Sequence, residues 1–319
     1  MENGKPAPGS ETRDTTSSRR HALALMLGAG PWLPRALTGA DTGAPVRLAI
    51  SKSLVSDVSI NDARAAMLVW IKKMMTDLNV VVDINPRVFD TTEEIVRRAR
   101  SGQLDSVALN IVEYRQIAEV LDPSEVLAGA GASGMEQYVL LAKRNGELQH
   151  LGHLRGRRLC TLNAPKMCAA SAWLSTILDE GHLGKSDRFF GSVITDTKVS
   201  RVVLQVFFGQ ADACLTSKRG FDTMCELNPQ VAEDLTVIAT SPAMVVTFYV
   251  FHKNYRSANR QRFIRVLSDL RGNAAGRQLA TLFQFDDLTV RDSSCLASAL
   301  RLLDKAERAP GPGLGSRQG

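Results

Sequence analysis

The 319-residue sequence is short of cysteine, of aromatic side chains and of long apolar runs, and each shortage removes a class of protein. Its five cysteines (Cys160, Cys168, Cys214, Cys225 and Cys295) are odd in number and show no Cys-x-x-Cys or Cys/His ligand spacing. A zinc site and a disulfide framework are therefore not expected. A Cys214–Cys225 bridge in an oxidising compartment stays open. Four tyrosines and three tryptophans give no stacking surface, and no run of five like charges occurs, so no nucleic-acid partner is expected. No segment reaches the ~20 uncharged apolar residues that a bilayer span needs. Gly-x-Ser-x-Gly, His-Glu-x-x-His, Walker and Gly-x-Gly-x-x-Gly motifs are all missing, so the sequence is read as a non-enzyme without cofactor. His150-x-x-His153 has a metal-like spacing, but it borders Gly152 in a loop-like stretch, and no metal site is assigned.

What is present is ordinary globular material: 44% hydrophobic and 23% charged residues over a length that supports one large or two medium domains. The formal charge of +6 is partly local, since residues 1–40 carry five basic and three acidic side chains. The remainder is interspersed along the chain, which gives no footprint for a polyanion.

Residues 1–17 are polar and rich in Gly, Pro, Ser and Thr. They lead into Arg19-Arg20, a short apolar stretch from Ala22 to Leu33, and small residues at Thr38-Gly39-Ala40. Charge, apolar stretch and small residues are the three parts of an export signal, and the arginine pair resembles a twin-arginine leader. Residues 1–40 are read as this leader, with a mature, soluble chain starting near Asp41 in the periplasm.

Short apolar runs then alternate with amphipathic stretches. Strands are expected at Val46–Ile50, Val80–Ile84, Ser106–Ile111, Tyr138–Ala142, Arg158–Leu162 and Gly191–Ile194, and further on at Ala211–Leu215, Thr236–Ala239 and Val245–Phe251. Between them, Ala63, Met67, Trp70, Ile71, Met74 and Leu78 fall on one helix face. Thr91-x-x-Glu94 spells a capping box for a second helix that ends at Gly102, and a third runs from Val199 to Gly209. The last fifty residues read as helical, with a loose tail at 306–319. This alternation implies an α/β fold with mostly parallel sheets.

An internal echo adds to this. Gly102-Gln103-Leu104-Asp105 recurs as Gly209-Gln210-Ala211-Asp212, each after an amphipathic helix and before an apolar strand. Each is followed, twelve residues after its glycine, by an aromatic, Tyr114 or Phe221. Two similar α/β lobes follow. Ligands of open α/β sheets sit outside the carboxyl ends of the strands, so Asn110–Tyr114 and Thr216–Phe221 should face a common cleft.

The order of these segments, with Leu154-Arg155-Gly156-Arg157-Arg158, a helix opening at Pro165, Phe208-Gly209-Gln210-Ala211-Asp212-Ala213 and Ala239-Thr240-Ser241-Pro242, resembles a known family. That family is the periplasmic substrate-binding component of phosphate/phosphite/phosphonate ABC importers, and the resemblance spans roughly residues 45–305. It implies a two-lobed type 2 periplasmic-binding fold with a ligand cleft between the lobes. Lobe 1 would hold residues 45–140 plus 253–305 and lobe 2 residues 141–252, with a hinge closing them over a small ligand.

The resemblance also implies where a ligand is held. An oxyanion would sit at the segment Asn163-Ala164-Pro165-Lys166-Met167-Cys168-Ala169-Ala170, with Asn163 as N-cap. Here Met167, Cys168 and Ala169 stand where serine and threonine are expected. Lys166 opposes the helix dipole unless an anion is bound beside it; the other reading is a solvated lysine. Tyr114 matches the family's ligand-contacting tyrosine, against the alternative of a packed surface tyrosine. Asn110 and Glu113 share its loop, and Ser51, Ser53 and Ser56 follow the first strand, as ligand contacts or as ordinary polar loop. Thr216, Lys218 and Arg219 follow the echoed strand, where Arg219 supplies a bidentate anion contact or a rim ion pair. Cys168 at a helix N-terminus would have a lowered thiol pKa.

The function so implied is an exported, monomeric solute-binding protein that captures a small anionic ligand, a phosphonate- or phosphate-like oxyanion or an organic acid, and delivers it to an ABC permease. The alternative is a ligand sensor that docks on a membrane receptor or histidine kinase.

Overall fold

The computed structural model describes residues 45–55, 59–77, 79–130, 134–282 and 287–308. The leader at 1–40, Ser56, Leu78 and the tail after Arg308 lie outside the described residues. Eleven strands in two sheets carry the described chain. The first sheet contains β1 (Leu48–Ser51), β2 (Arg87–Phe89), β3 (Ser106–Asn110) and β4 (Leu121–Gly129). The second contains β5 (Tyr138–Lys143), β6 (Arg158–Leu162), β7 (Ser192–Asp196), β8 (Ala213–Ser217) and β9 (Leu235–Thr240). The chain then returns to the first sheet as β10 (Thr247–His252) and β11 (Leu288–Arg291). Strand order is β11-β4-β10-β3-β1-β2 in one sheet and β7-β6-β8-β5-β9 in the other. This is the expected two-lobed α/β architecture, each sheet the centre of one lobe.

The helices cover the sheets through their apolar stripes. They are α1 (Ile60–Asp77), α2 (Thr92–Arg100), α3 (Ile111–Ile117), α4 (Ala170–Glu180), α5 (Ser186–Phe189) and α6 (Val199–Phe207). Then follow α7 (Lys218–Leu227), α8 (Pro229–Asp234), α9 (Asn259–Ser268), α10 (Ala274–Leu282) and α11 (Ala297–Arg308). In α1 the predicted face is the buried one: Ala63, Met67, Trp70, Ile71 and Met74 pack with Phe263 of α9 and Leu279 of α10 over one side of the first sheet. The Thr91 hydroxyl accepts from Glu94 N–H at the start of α2, as the capping pattern predicts. A second apolar core begins on the other face of the first sheet and continues without a break into the second lobe. Helix α11 bridges the two lobes: it packs on α3 and α4, with Arg115 bonded to Asp304 and Glu307, and Lys305 to Glu180.

Three expectations are corrected. The sheets are mixed rather than mostly parallel. β1 is parallel to β2 and β3, and β6 to β7 and β8, but β10 runs antiparallel to β3 and β4, and β5 antiparallel to β8 and β9. The cause is topological: the chain leaves one sheet after Gly129, enters the other at Tyr138, and re-enters the first at Thr247 heading the opposite way. Val80–Ile84 is not a strand, and only a Val46–Val82 bridge forms there. Two strands carry no alternating signal. β4 contains Pro123, placed where the register with β10 shifts and the missing N–H does no harm, and β11 interrupts the stretch read as helical.

The echo is structural. Gly102 and Gly209 both take positive φ (66° and 73°) to end α2 and α6, and β3 and β8 follow in equivalent places beside β1 and β6. Tyr114 in α3 and Phe221 in α7 are both buried.

Candidate functional site

The carboxyl ends of β1 and β3 are tied together by a polar cluster. Ser51, the last residue of β1, donates from Oγ to Glu113 Oε1 at 2.5 Å, and its Oγ lies 2.9 Å from Ser53 Oγ. Asn110 closes the ring: Nδ2 donates to Ser53 Oγ at 3.0 Å, and Oδ1 accepts from the N–H groups of Val112 and Glu113. Glu113 Oε2 accepts the Asn110 N–H, which completes a capping box for α3. Ser51, Asn110 and Glu113 are buried. The structure thus brings Ser53 and Asn110 into a direct hydrogen bond, and Asn110 and Ser51 both bond the buried Glu113 carboxylate. Ser56 lies outside the described residues.

Tyr114 is placed differently. Its ring sits edge-on to Phe248 at 5.2 Å, and burial together with nearby Cys295 pushes its phenol pKa up. Tyr138, fully buried on β5, donates from its hydroxyl to the Lys166 carbonyl at 2.9 Å, which fixes the turn after β6 from the inside.

That turn departs from the sequence reading. Pro165–Met167 form a single 3-10 turn, and the α-helix begins only at Ala170. Ala164 occupies the cap position, without a side-chain bond, and Asn163 is exposed. Asn163 lies one residue before the cap position, where its N–H donates to the Asp196 carbonyl as an extension of the β6–β7 ladder. Met167 is buried. The Cys168 Sγ lies 3.8 Å from the Val246 carbonyl oxygen. Burial pushes the Cys168 thiol up to about 12, and the Glu113 carboxylate pushes it the same way. The expected lowering is therefore reversed: burial outweighs the start of α4 two residues on, and the neighbouring charge is negative. The Lys52–Leu54 turn of the first lobe approaches Pro165–Met167 of the second.

Beside these turns lies a cleft of about 520 Å³. Its second-lobe wall consists of Leu162 at the end of β6, the Pro165–Met167 turn, Val199 of α6, and Ser217, Arg219, Gly220, Thr223 and Met224 around the start of α7. Arg271, Ala280 and Thr281 face them from the first lobe, and Glu136 stands near the crossing between lobes. Lys166, Met167 and Arg219 are therefore on the cleft wall. Thr216 is fully buried in the sheet, with its Oγ1 lacking a hydrogen-bond partner, while its neighbour Ser217 reaches the cleft because strand residues alternate faces. Ser217 also caps α7 by accepting from Gly220 N–H at 3.1 Å. Lys218 pairs with Asp222 on the outside of α7.

Sequence reasoning missed Ser217, Glu136 and Arg271. The strand parity of 213–217 could have found Ser217, whereas nothing local marks Arg271, which arrives from a segment far beyond α7 in the chain. The His150 and His153 rings lie tilted against each other with centroids 3.3 Å apart, and no group of metal-ligating side chains occurs among the described residues. Cys214 lies in register beside Cys160 rather than beside Cys225, and all five thiols are free.

The model of one protein family matches residues 53–294, three quarters of the chain: the periplasmic substrate-binding protein of phosphonate ABC transporters. No curated protein matches in sequence. Among solved structures, a binding-protein component of a phosphonate ABC transporter from Pseudomonas aeruginosa is similar at 15% identity and a TM-score of 0.54, over 85% of this chain and 91% of that one. A Prochlorococcus marinus protein in complex with methylphosphonate gives 15% identity and a TM-score of 0.56, over 82% and 98%. A Xanthomonas citri protein bound to ATP gives 13% identity and a TM-score of 0.58, over 83% and 98%. At such identities the likeness to these structures is one of fold.

Proposed function

The chain belongs to the family of periplasmic substrate-binding proteins of phosphonate ABC transporters, and on that premise we propose that it captures a small organic anion in the cleft between its lobes. Members of that family bind and deliver solutes to an ABC importer and are not enzymes. One observation supports the anion: Lys166 and Arg219 from the second lobe and Arg271 from the first, the last also paired with Asp287 at 3.6 Å, line the same cleft of about 520 Å³. Cations contributed by both lobes reward closure, because a bound anion contacts each side only when the lobes are together. The ligand then acts as the clasp of the closed form, and the closed form is what a permease would recognise.

The same reading gives an exported, periplasmic protein that works as a monomer. No helix among the described residues is long and apolar enough to cross a membrane. The sensor alternative draws no support from the family or the structural likenesses.

A thermal-shift series with phosphate, phosphite, phosphonates, sulfate and small organic acids tests the proposal. A ligand present at ~100 Kd stabilises by about 2.7 kcal/mol. Anions alone should raise the melting temperature; a shift produced only by uncharged solutes would refute the reading.

A further inference from the structure

Strand β7 is an edge that the fold leaves open. It ends the second sheet, with β6 on one side and no described strand on the other. Its register with β6 runs unbroken from Arg158–Ser192 to Leu162–Asp196. The Ile194 carbonyl accepts from Thr161 Oγ1 at 3.4 Å and the Asp196 carbonyl from the Asn163 N–H at 2.8 Å, so both turn toward β6. Alternation along the strand then turns the N–H and C=O of Val193 and Thr195 outward, as ladder positions without a neighbouring strand. Side chains on both faces are exposed, Val193 at 37% and Ile194 at 44%.

The other three sheet edges carry devices that oppose pairing with a foreign chain. β2 has three residues and β11 four, and the β9 ladder shifts register at Leu140–Leu141. From Ser192 to Thr195, β7 has no charge, proline or bulge, and Val193, Ile194 and Thr195 are β-branched.

Charge at the two ends of β7 says what would pair there. The Gly156 and Gly191 N–H groups donate to the Phe189 and Arg157 carbonyls at 2.7 and 3.0 Å, which brings Arg157 alongside the segment of Lys185 and Arg188 at the amino end. Lys198 follows the carboxyl end. All four are exposed and make no ion pair among the described residues, although the Arg157 charge also acts on Asp212. Other cations nearby are committed: Arg155 to the Leu183 carbonyl, Arg158 to Asp212 and Arg201 to Asp196. Against the four stands the exposed Asp187. A second copy of β7 would bring cations against cations in either strand direction, and residues 1–40 and the tail after Arg308 are themselves net basic.

We propose that β7 is a docking edge for an extended segment with acidic flanks from a partner protein, which adds a strand beside it. The partner's backbone fills the ladder positions of Val193 and Thr195, and its carboxylates meet Arg157, Lys185, Arg188 and Lys198. No residue of Ser192–Asp196 lines the cleft, so docking and solute capture use separate surfaces.

Fluorescence anisotropy of the full chain with two labelled peptides tests it. One has a Thr-Val-Thr-Val core with Asp-Glu at both ends, and the other the same core with Lys-Lys at both ends. The acidic peptide should bind about tenfold more tightly, and added salt should weaken it. Thr195→Pro deletes an outward N–H and spares the β6 ladder, so it should weaken that binding about tenfold in a chain that still melts cooperatively. Arg157→Glu combined with Arg188→Glu should abolish the preference for acidic flanks. No binding of the acidic peptide at about 1 mM, equal binding of both peptides, or indifference to Thr195→Pro would overturn the proposal. So would a dimer in sedimentation that Thr195→Pro dissolves, because the edge would then belong to a second copy.

Discussion

Arg47 grips Asp105 through three bonds: its backbone N–H and Nε donate to Oδ2 at 2.9 and 2.8 Å, and its Nη2 donates to Oδ1 at 2.6 Å. A fourth bond runs from Nη2 to the Gly102 carbonyl at 2.8 Å. In the other lobe Arg158 repeats every one of these bonds on Asp212 and Gly209. The arginine opens the first strand of each parallel pair, the carboxylate opens the second, and the glycine ends the helix between. This is why Gly-Gln-x-Asp occurs twice. The glycine supplies a conformation that L side chains rarely adopt, and the aspartate supplies the acceptor that registers the next strand.

The two forks should differ in worth because they differ in burial. Asp105 is buried and Asp212 is not. Asp105→Ala should destabilise by about 2–4 kcal/mol, since it strips a charged fork and leaves donors unpaired, and Asp212→Ala should cost less. Urea midpoints of the two variants compare them. The Arg158 hydrogen bond holds the Asp212 carboxyl below the ordinary carboxylate range. Its stabilisation is therefore complete above the unfolded-state pKa of ~3.9 and is lost as pH falls through the lowered folded value. Asp212→Asn should flatten the stability profile only on that acid side.

Cys168 should be inert in the folded protein. Its thiol is pushed up to about 12, so at pH 8 almost none is thiolate, the reactive form. Iodoacetamide should leave Cys168 unlabelled in the native chain and label it in urea, as read by peptide mass spectrometry. Rapid native labelling would contradict the raised thiol pKa.

His252 should make stability depend on pH near neutrality. Burial lowers its pKa, Nε2 bonds the Ala99 carbonyl at 3.1 Å, and Nδ1 accepts from Asn254 N–H. The folded state therefore keeps the ring neutral while the unfolded chain takes up a proton below ~6.5. Stability from this residue is present above that value and declines as pH falls through the window below it. His252→Gln should be less stable than the parent at pH 7.5 and show a shallower loss between pH 7 and 5. Parallel profiles for the two proteins would disprove this role.

Arg219 tests the cleft directly. Arg219→Ala should weaken binding of an anionic ligand about tenfold, a loss of ~1.4 kcal/mol, and reduce the salt dependence of the affinity. Calorimetry at two ionic strengths reads both effects. Unchanged affinity would place the anion elsewhere.

Elements whose causes are local were legible in the sequence. Apolar period gave α1 its buried face, the Thr91 hydroxyl opened α2, and a positive-φ glycine closed α2 and α6. Lys166, Met167 and Arg219, which line the cleft, follow the ends of β6 and β8, where open α/β sheets hold their clefts, and that placement can be read from the strand pattern. Tertiary contacts decided what depends on partners distant in the chain. Asn163 reads as an N-cap, but the β6–β7 ladder extends through it and Ala164 takes the cap position, and Cys168 reads as activated until burial and Glu113 reverse the shift. β4 and β11 pair with each other and carry no pattern of their own, and Arg271 reaches the cleft only once both lobes are in place. Hydrogen-bond partners, burial and the electrostatic field at a point are set by atoms far away along the chain, and that information exists only when the chain has folded.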